Sequence, residues 1–228
     1  MQVAPATARR ALDFARAYGQ LRWAFLPGDA RAHAVLASRE STEQLAALSG
    51  PLRRARAEDV QLFAGEKDEF ANAAALSQAY EICFRGARLV SPFETDYTTS
   101  TPFEQANELA DISGFYRALN FSWQSATVDR VDHIGGELEF LCIVSWMESE
   151  ALEAGAASNA DVASDAHAKF LVDHAGRWVG RFAARCEEKG IPPFFQAAAW
   201  LAAAVMVEDL KSRGLVAKSI SPTVLPMA

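Results

Sequence analysis

The chain has 228 residues, half of them hydrophobic and 22% charged, with 22 Lys and Arg against 29 Asp and Glu and a net charge of −7. This is the composition of a globular chain long enough to bury a sizeable core. The acidic balance, without a long basic tract, argues against a nucleic-acid or anionic-membrane partner and favours a basic one. Cys83, Cys142 and Cys186 are scattered, with no CxxC pair. That excludes a zinc ribbon or thioredoxin-type motif and suits a reducing compartment, with each cysteine acting as a small buried hydrophobe.

Taken in chain order, Ala11, Phe14, Ala15, Tyr18, Leu21 and Phe25 recur at helical spacing. The spacing predicts a helix from Thr7, as N-cap, to the break at Pro27-Gly28. Arg9-Arg10 lacks the apolar stretch of an export signal and reads as two solvated residues on that helix. Two further helices are expected over Ala30–Ser49 and Glu58–Gly65. Phe70–Gly86 reads as the next, with Tyr80, Cys83 and Phe84 on one face and Gly86 ending it.

Leu89–Gln105 carries two prolines, four consecutive Ser/Thr residues, and Phe93, Tyr97 and Phe103. Those aromatics make the segment over 87–104 an ordered loop and not a flexible linker. Helices are expected over Glu104–Leu119, Ile134–Glu150, Asp165–Glu188 and Phe194–Leu210. Asn120–Val131 reads as a second loop, Glu153–Ser164 as a mobile connection, and the tail beyond Gly214 as irregular. No segment alternates like a strand, and no apolar run is long enough to span a membrane. The expectation is an all-α, single-domain chain, as monomer or homodimer.

The stretch RVDHIGGELEFL, Arg130–Leu141, concentrates the polar chemistry. Asp132 is placed to cap the following helix, and His133 and Glu137 share a face four residues apart. Those two, with His167 or His174, would be the start of a metal site in a helical enzyme, and Asp132-His133 could serve as an acid/base pair. No nucleophile elbow or phosphate loop accompanies them. Gly135-Gly136 lowers helix propensity in a first turn, which suggests close approach of another backbone. In His174-Ala-Gly-Arg177-Trp178, the indole reads as core.

Five stretches in order resemble the TorD/DmsD/NarJ family of molybdoenzyme chaperones: Tyr80-x-x-Cys83-Phe84-x-Gly86, Ser91-Pro92-Phe93-Glu94-Thr95, Glu108–Phe121, Val131–Leu141 and Lys169–Phe182. The wording of the third and fourth is similar to chaperones of periplasmic enzymes of the DMSO-reductase type, including those for ethylbenzene, dimethylsulfide, selenate and chlorate. The resemblance implies an all-helical cytoplasmic protein that is not an enzyme and needs no cofactor or metal. It implies binding of the leader peptide and apo-form of a molybdopterin-containing catalytic subunit until cofactor insertion is complete. The implied peptide-binding residues are Tyr80, Phe84, Pro92, Phe93, Glu94, Tyr97, Asp132, His133 and Glu137. Cys83 stands where the family often has an aliphatic residue. On this reading Glu94, Asp132 and Glu137 present carboxylates to the arginines of a twin-arginine leader, while Tyr80, Phe84, Phe93 and Tyr97 take its apolar part.

Overall fold

The structure is a computed structural model and describes residues 4–26, 73–122 and 130–220. The helices expected over Ala30–Ser49 and Glu58–Gly65 lie outside these residues. Among the described residues the fold is all-α, without a strand. Helix α1 (Ala4–Leu21) runs into a 3-10 turn, Arg22–Phe25. Helix α2 (Ala73–Tyr80) runs into a π-turn, Glu81–Arg85. A strap over 87–101 contains the one-turn helix α3 (Thr95–Thr98) and leads to α4 (Pro102–Ala118). Then come α5 (Ile134–Glu153), α6 (Ala157–Phe170), a π-turn at Leu171–Ala175, α7 (Gly176–Glu188) and α8 (Pro193–Ser212).

Local chemistry accounts for the boundaries. Thr101 and Glu104 form a reciprocal capping box with Pro102 at the first helical position of α4. Thr7 lies inside α1 and does not cap it. The Glu153–Ser164 connection is instead a three-residue turn, with Gly155 at φ +69°, followed by α6. Its alanines, serines and asparagine read as a linker by composition, yet Ala160 and Ala163 are buried against the core. The single helix expected over Asp165–Glu188 is interrupted by the π-turn that carries His174.

Helix α5 is the central element, packed on α1 and α6, while α7 pairs with α8. It buries Ile134, Leu138, Phe140, Leu141 and Val144, and also Ser145 and Glu148. The alanines of α8 at 197–199 and 202–203 let its neighbours come close. The elements share one aromatic-rich cluster in which Phe84 meets Phe25, Phe182 and Phe195.

A polar node crosses this core. Ser145 Oγ lies 3.0 Å from His167 Nδ1, and His167 Nε2 lies 2.7 Å from Asp209. Asp209 also accepts from the Tyr18 hydroxyl at 2.8 Å and from Arg213, which reaches on to Glu148. Burial opposes the Asp209 charge, but His167 and Arg213 outweigh it and hold the carboxyl down at about 2. The node ties α1, α5, α6 and α8 together. Cys83, Cys142 and Cys186 are free, and burial pushes each thiol up, away from reactivity.

Candidate functional site

The strap is sewn to the segment before α5. The Glu94 N–H donates to the Asp132 carbonyl and the Ile134 N–H to the Pro92 carbonyl, both at 2.9 Å. These bonds frame an isolated antiparallel bridge between Phe93 and His133. The Asp132 carboxylate accepts from the Thr95 N–H (3.1 Å) and hydroxyl (2.8 Å), and from Arg130 Nε (3.0 Å) and Nη2 (2.7 Å). Arg130 also reaches Asp96 and stacks over Phe93, 4.0 Å from the ring centroid.

His133, not Asp132, caps α5. Its Nδ1 accepts from the Gly135 N–H at 3.1 Å. That assigns the ring proton to Nε2, which lies 3.1 Å from the Tyr80 hydroxyl, and the hydroxyl in turn donates to the Phe25 carbonyl. Burial lowers the His133 pKa to about 3, so the ring is neutral. The close approach at Gly135 comes from within the fold, since a Cβ there would sit 3.1 Å from the Phe25 carbonyl oxygen. Glycine is needed so that the 3-10 turn can lie against the start of α5.

Deeper in, the Glu137 carboxylate accepts from the Trp178 indole at 2.9 Å and lies beside Glu94. Burial raises both carboxyl pKa values, Glu137 the more strongly, with Glu94 as its neighbouring charge. His174 Nδ1 lies 3.2 Å from Glu94 Oε2, and its Nε2 lies 3.2 Å from Asp111. Burial works against a charged ring here, but Glu94, Glu108 and Asp111 together win and the His174 pKa is raised. Arg177 bonds Glu108 at 3.1 Å.

This buried cluster opens outward at α4. An open cavity of about 680 Å³ is lined by Glu104, Asn107, Glu108, Ala110 and Asp111. Helix α4 is thinly covered, its only buried residues among those described being Ile112 and Tyr116, both in its second half. Phe103 beside the cavity is 76% exposed.

The structure therefore brings the nine sequence-expected residues together but puts them inside. Tyr80, Phe84, Pro92, Phe93, Glu94, Tyr97, Asp132, His133 and Glu137 are all buried. The three carboxylates expected to face a partner's arginines are fully covered and engaged with Thr95, Arg130, Trp178 and His174. Tyr97 stacks on Trp178, the indole expected in the core. His133 and Glu137 do not converge as metal ligands, since each ring nitrogen of His133 has its own partner and His167 belongs to the Asp209 node.

Sequence reasoning missed Arg130, Glu104, Glu108, Asp111 and Arg177 as parts of the site. The signal for the acids was present: 104, 108 and 111 are spaced four and three, one stripe of a helix. No described helix is long and apolar enough to cross a membrane.

No curated protein matches the chain significantly. A family model described as "Nitrate reductase delta subunit" matches residues 39–184, a span that contains the strap, the clamp before α5 and the π-turn of His174. That match covers more than half of the chain, and the family comprises molybdoenzyme assembly chaperones and not catalysts. The chain belongs to the nitrate reductase delta subunit family of molybdoenzyme chaperones.

Proposed function

We propose that this chain is a cytoplasmic chaperone that binds the N-terminal leader of a molybdopterin-containing catalytic subunit, assists cofactor insertion and delays export until assembly is complete. The client is an enzyme of the periplasmic DMSO-reductase type, on the likeness of the α4 and α5 wording. Family membership across 39–184 carries this reading. The geometry supports a division of labour within the site. The nine buried residues hold the strap and the start of α5 in register and form the frame of the groove. The leader's arginines meet the acids of the α4 cavity, exposed Glu104 and Asp111 and half-buried Glu108, and its apolar part lies along Phe103.

Charge-assisted bonds from a guanidinium suit this rim of carboxylates, and the net charge of −7 speeds encounter with a basic peptide. The test is calorimetry with a synthetic twin-arginine leader peptide against the wild type and the double variant Glu104→Gln/Asp111→Asn. Both positions are solvent-accessible and Gln preserves the cap, so melting temperature holds. The expected loss is about tenfold in affinity, roughly 1.4 kcal/mol, together with a weakened salt dependence. Equal affinity for both proteins, or equal affinity for a peptide with both arginines replaced by alanine, overturns the α4 assignment. Mass spectrometry of subunits captured from the native host names the client.

A further inference from the structure

The cluster behind the α4 cavity is arranged like a metal centre. Glu94, Glu108 and His174 each offer one ligand atom, and these atoms lie within 4.8 Å of one another. His174 Nδ1 is 3.2 Å from Glu94 Oε2 and 3.7 Å from Glu108 Oε2. Bonds of about 2.1 Å at tetrahedral angles put neighbouring ligand atoms about 3.4 Å apart, a spacing that lies between these two separations.

Glu94 faces the ring with both oxygens, Oε1 lying 3.4 Å and Oε2 3.2 Å from His174 Nδ1. Glu108 Oε1 is 3.1 Å from Arg177 Nη1, so Arg177 holds the outer side of Glu108 and leaves its Oε2 toward the ring. On the far side of the imidazole, Nε2 meets Asp111 at 3.2 Å. A ligating histidine usually gives its second nitrogen to a carboxylate in this way, which fixes the ring.

Two further observations point the same way. Glu137 is completely buried beside Glu94, and its Oε1 has no neighbour to bond to in the protein other than the Glu94 carboxyl. His174 itself sits on a π-turn, a deformation that recurs where a helix must aim a functional side chain. The cavity lined by Glu104, Asn107 and Glu108 supplies an entry path and a solvent position.

We propose that Glu94 Oε2, Glu108 Oε2 and His174 Nδ1 form a binding site for a divalent transition cation, Zn²⁺ by preference for this oxygen/nitrogen set. Solvent from the α4 cavity completes the coordination. The site stands apart from the leader reading, since its test contains no peptide.

The experiment is calorimetric titration of ZnCl2 into chelator-treated full-length protein. One Zn²⁺ per chain is expected. Affinity falls about a hundredfold in Glu108→Gln, which removes a ligand at a partly exposed position, and about tenfold in Asp111→Asn, which only loosens the ring. Both variants keep all three cysteines, so thiol binding is common to every arm. No heat, a stoichiometry other than one, or equal affinity in wild type and Asp111→Asn overturns the site. In the first case His174 is simply ion-paired to its acids; in the last, Zn²⁺ has gone elsewhere.

Discussion

Asp132→Ala probes whether the clamp between strap and α5 is structural. The carboxylate is completely buried and accepts four bonds, two from Thr95 and two from Arg130. Removing it leaves the Thr95 N–H and hydroxyl without that partner, at about 1 kcal/mol each. The Arg130 side chain is 31% exposed, so its loss is discounted by solvent to about another 1 kcal/mol. The expected destabilisation is therefore about 3 kcal/mol, read by urea unfolding at constant m-value, with a fall in melting temperature of about 6–12 °C for a chain of this size. Asp132→Asn keeps an acceptor toward Thr95 and should lose about half as much. At a temperature where Asp132→Ala is still folded, its leader affinity should fall less than that of Glu104→Gln/Asp111→Asn. A destabilisation under about 1 kcal/mol, or the reverse order of affinities, would refute the assignment of Asp132 to the frame.

Two more expectations follow from the same frame. His133 is neutral when folded, with a pKa of about 3 against an ordinary 6.5, so the unfolded chain binds the extra proton between those values. Its contribution is fully present above pH 6.5 and is lost as pH falls toward 3. Between pH 6.5 and 5 the wild type should lose up to about 2 kcal/mol more than His133→Asn, which keeps a capping oxygen but no ring; parallel pH–stability curves would contradict this. A Cβ at Gly176 would collide with the Leu171 carbonyl, so Gly176→Ala should disrupt the π-turn at a cost of about 1–3 kcal/mol and weaken Zn²⁺ binding with it. Unchanged unfolding and metal affinity would show the turn to be dispensable.

The helical periodicity of α1, α5 and α8 was legible because each packs a continuous stripe into a single core. In the strap, the aromatics that mark it in the sequence, Phe93 and Tyr97, are buried. What the pattern concealed was depth. A run such as SPFETDY looks equally suited to a surface wall and to a buried strap, and only the pairing of Glu94 and Asp132 with partners some 40 to 80 residues away decides between them. The π-turn was hidden because a single turn paired i to i+5 widens the ladder by one residue and leaves the apolar spacing of 165–188 nearly unchanged. Helix α6 was hidden because alanine, serine and asparagine are shared by linkers and by closely packed helices. The cap falls on His133, one residue beyond the expected Asp132, since both side chains can accept from a first-turn N–H and only the bridge to Phe93 sets the register.

The Asp209 node has a consequence for how the chain is made. Tyr18, in the first helix, donates to an acceptor 191 residues later, and His167 leans on the same carboxylate. During synthesis these groups leave the ribosome well before Asp209 and Arg213 do. Until α8 emerges, the Tyr18 hydroxyl, destined for full burial, lacks its acceptor, and the His167 imidazole has Ser145 but not Asp209. Docking of α8 thus acts as the latch that closes α1 and α6 onto a common carboxylate.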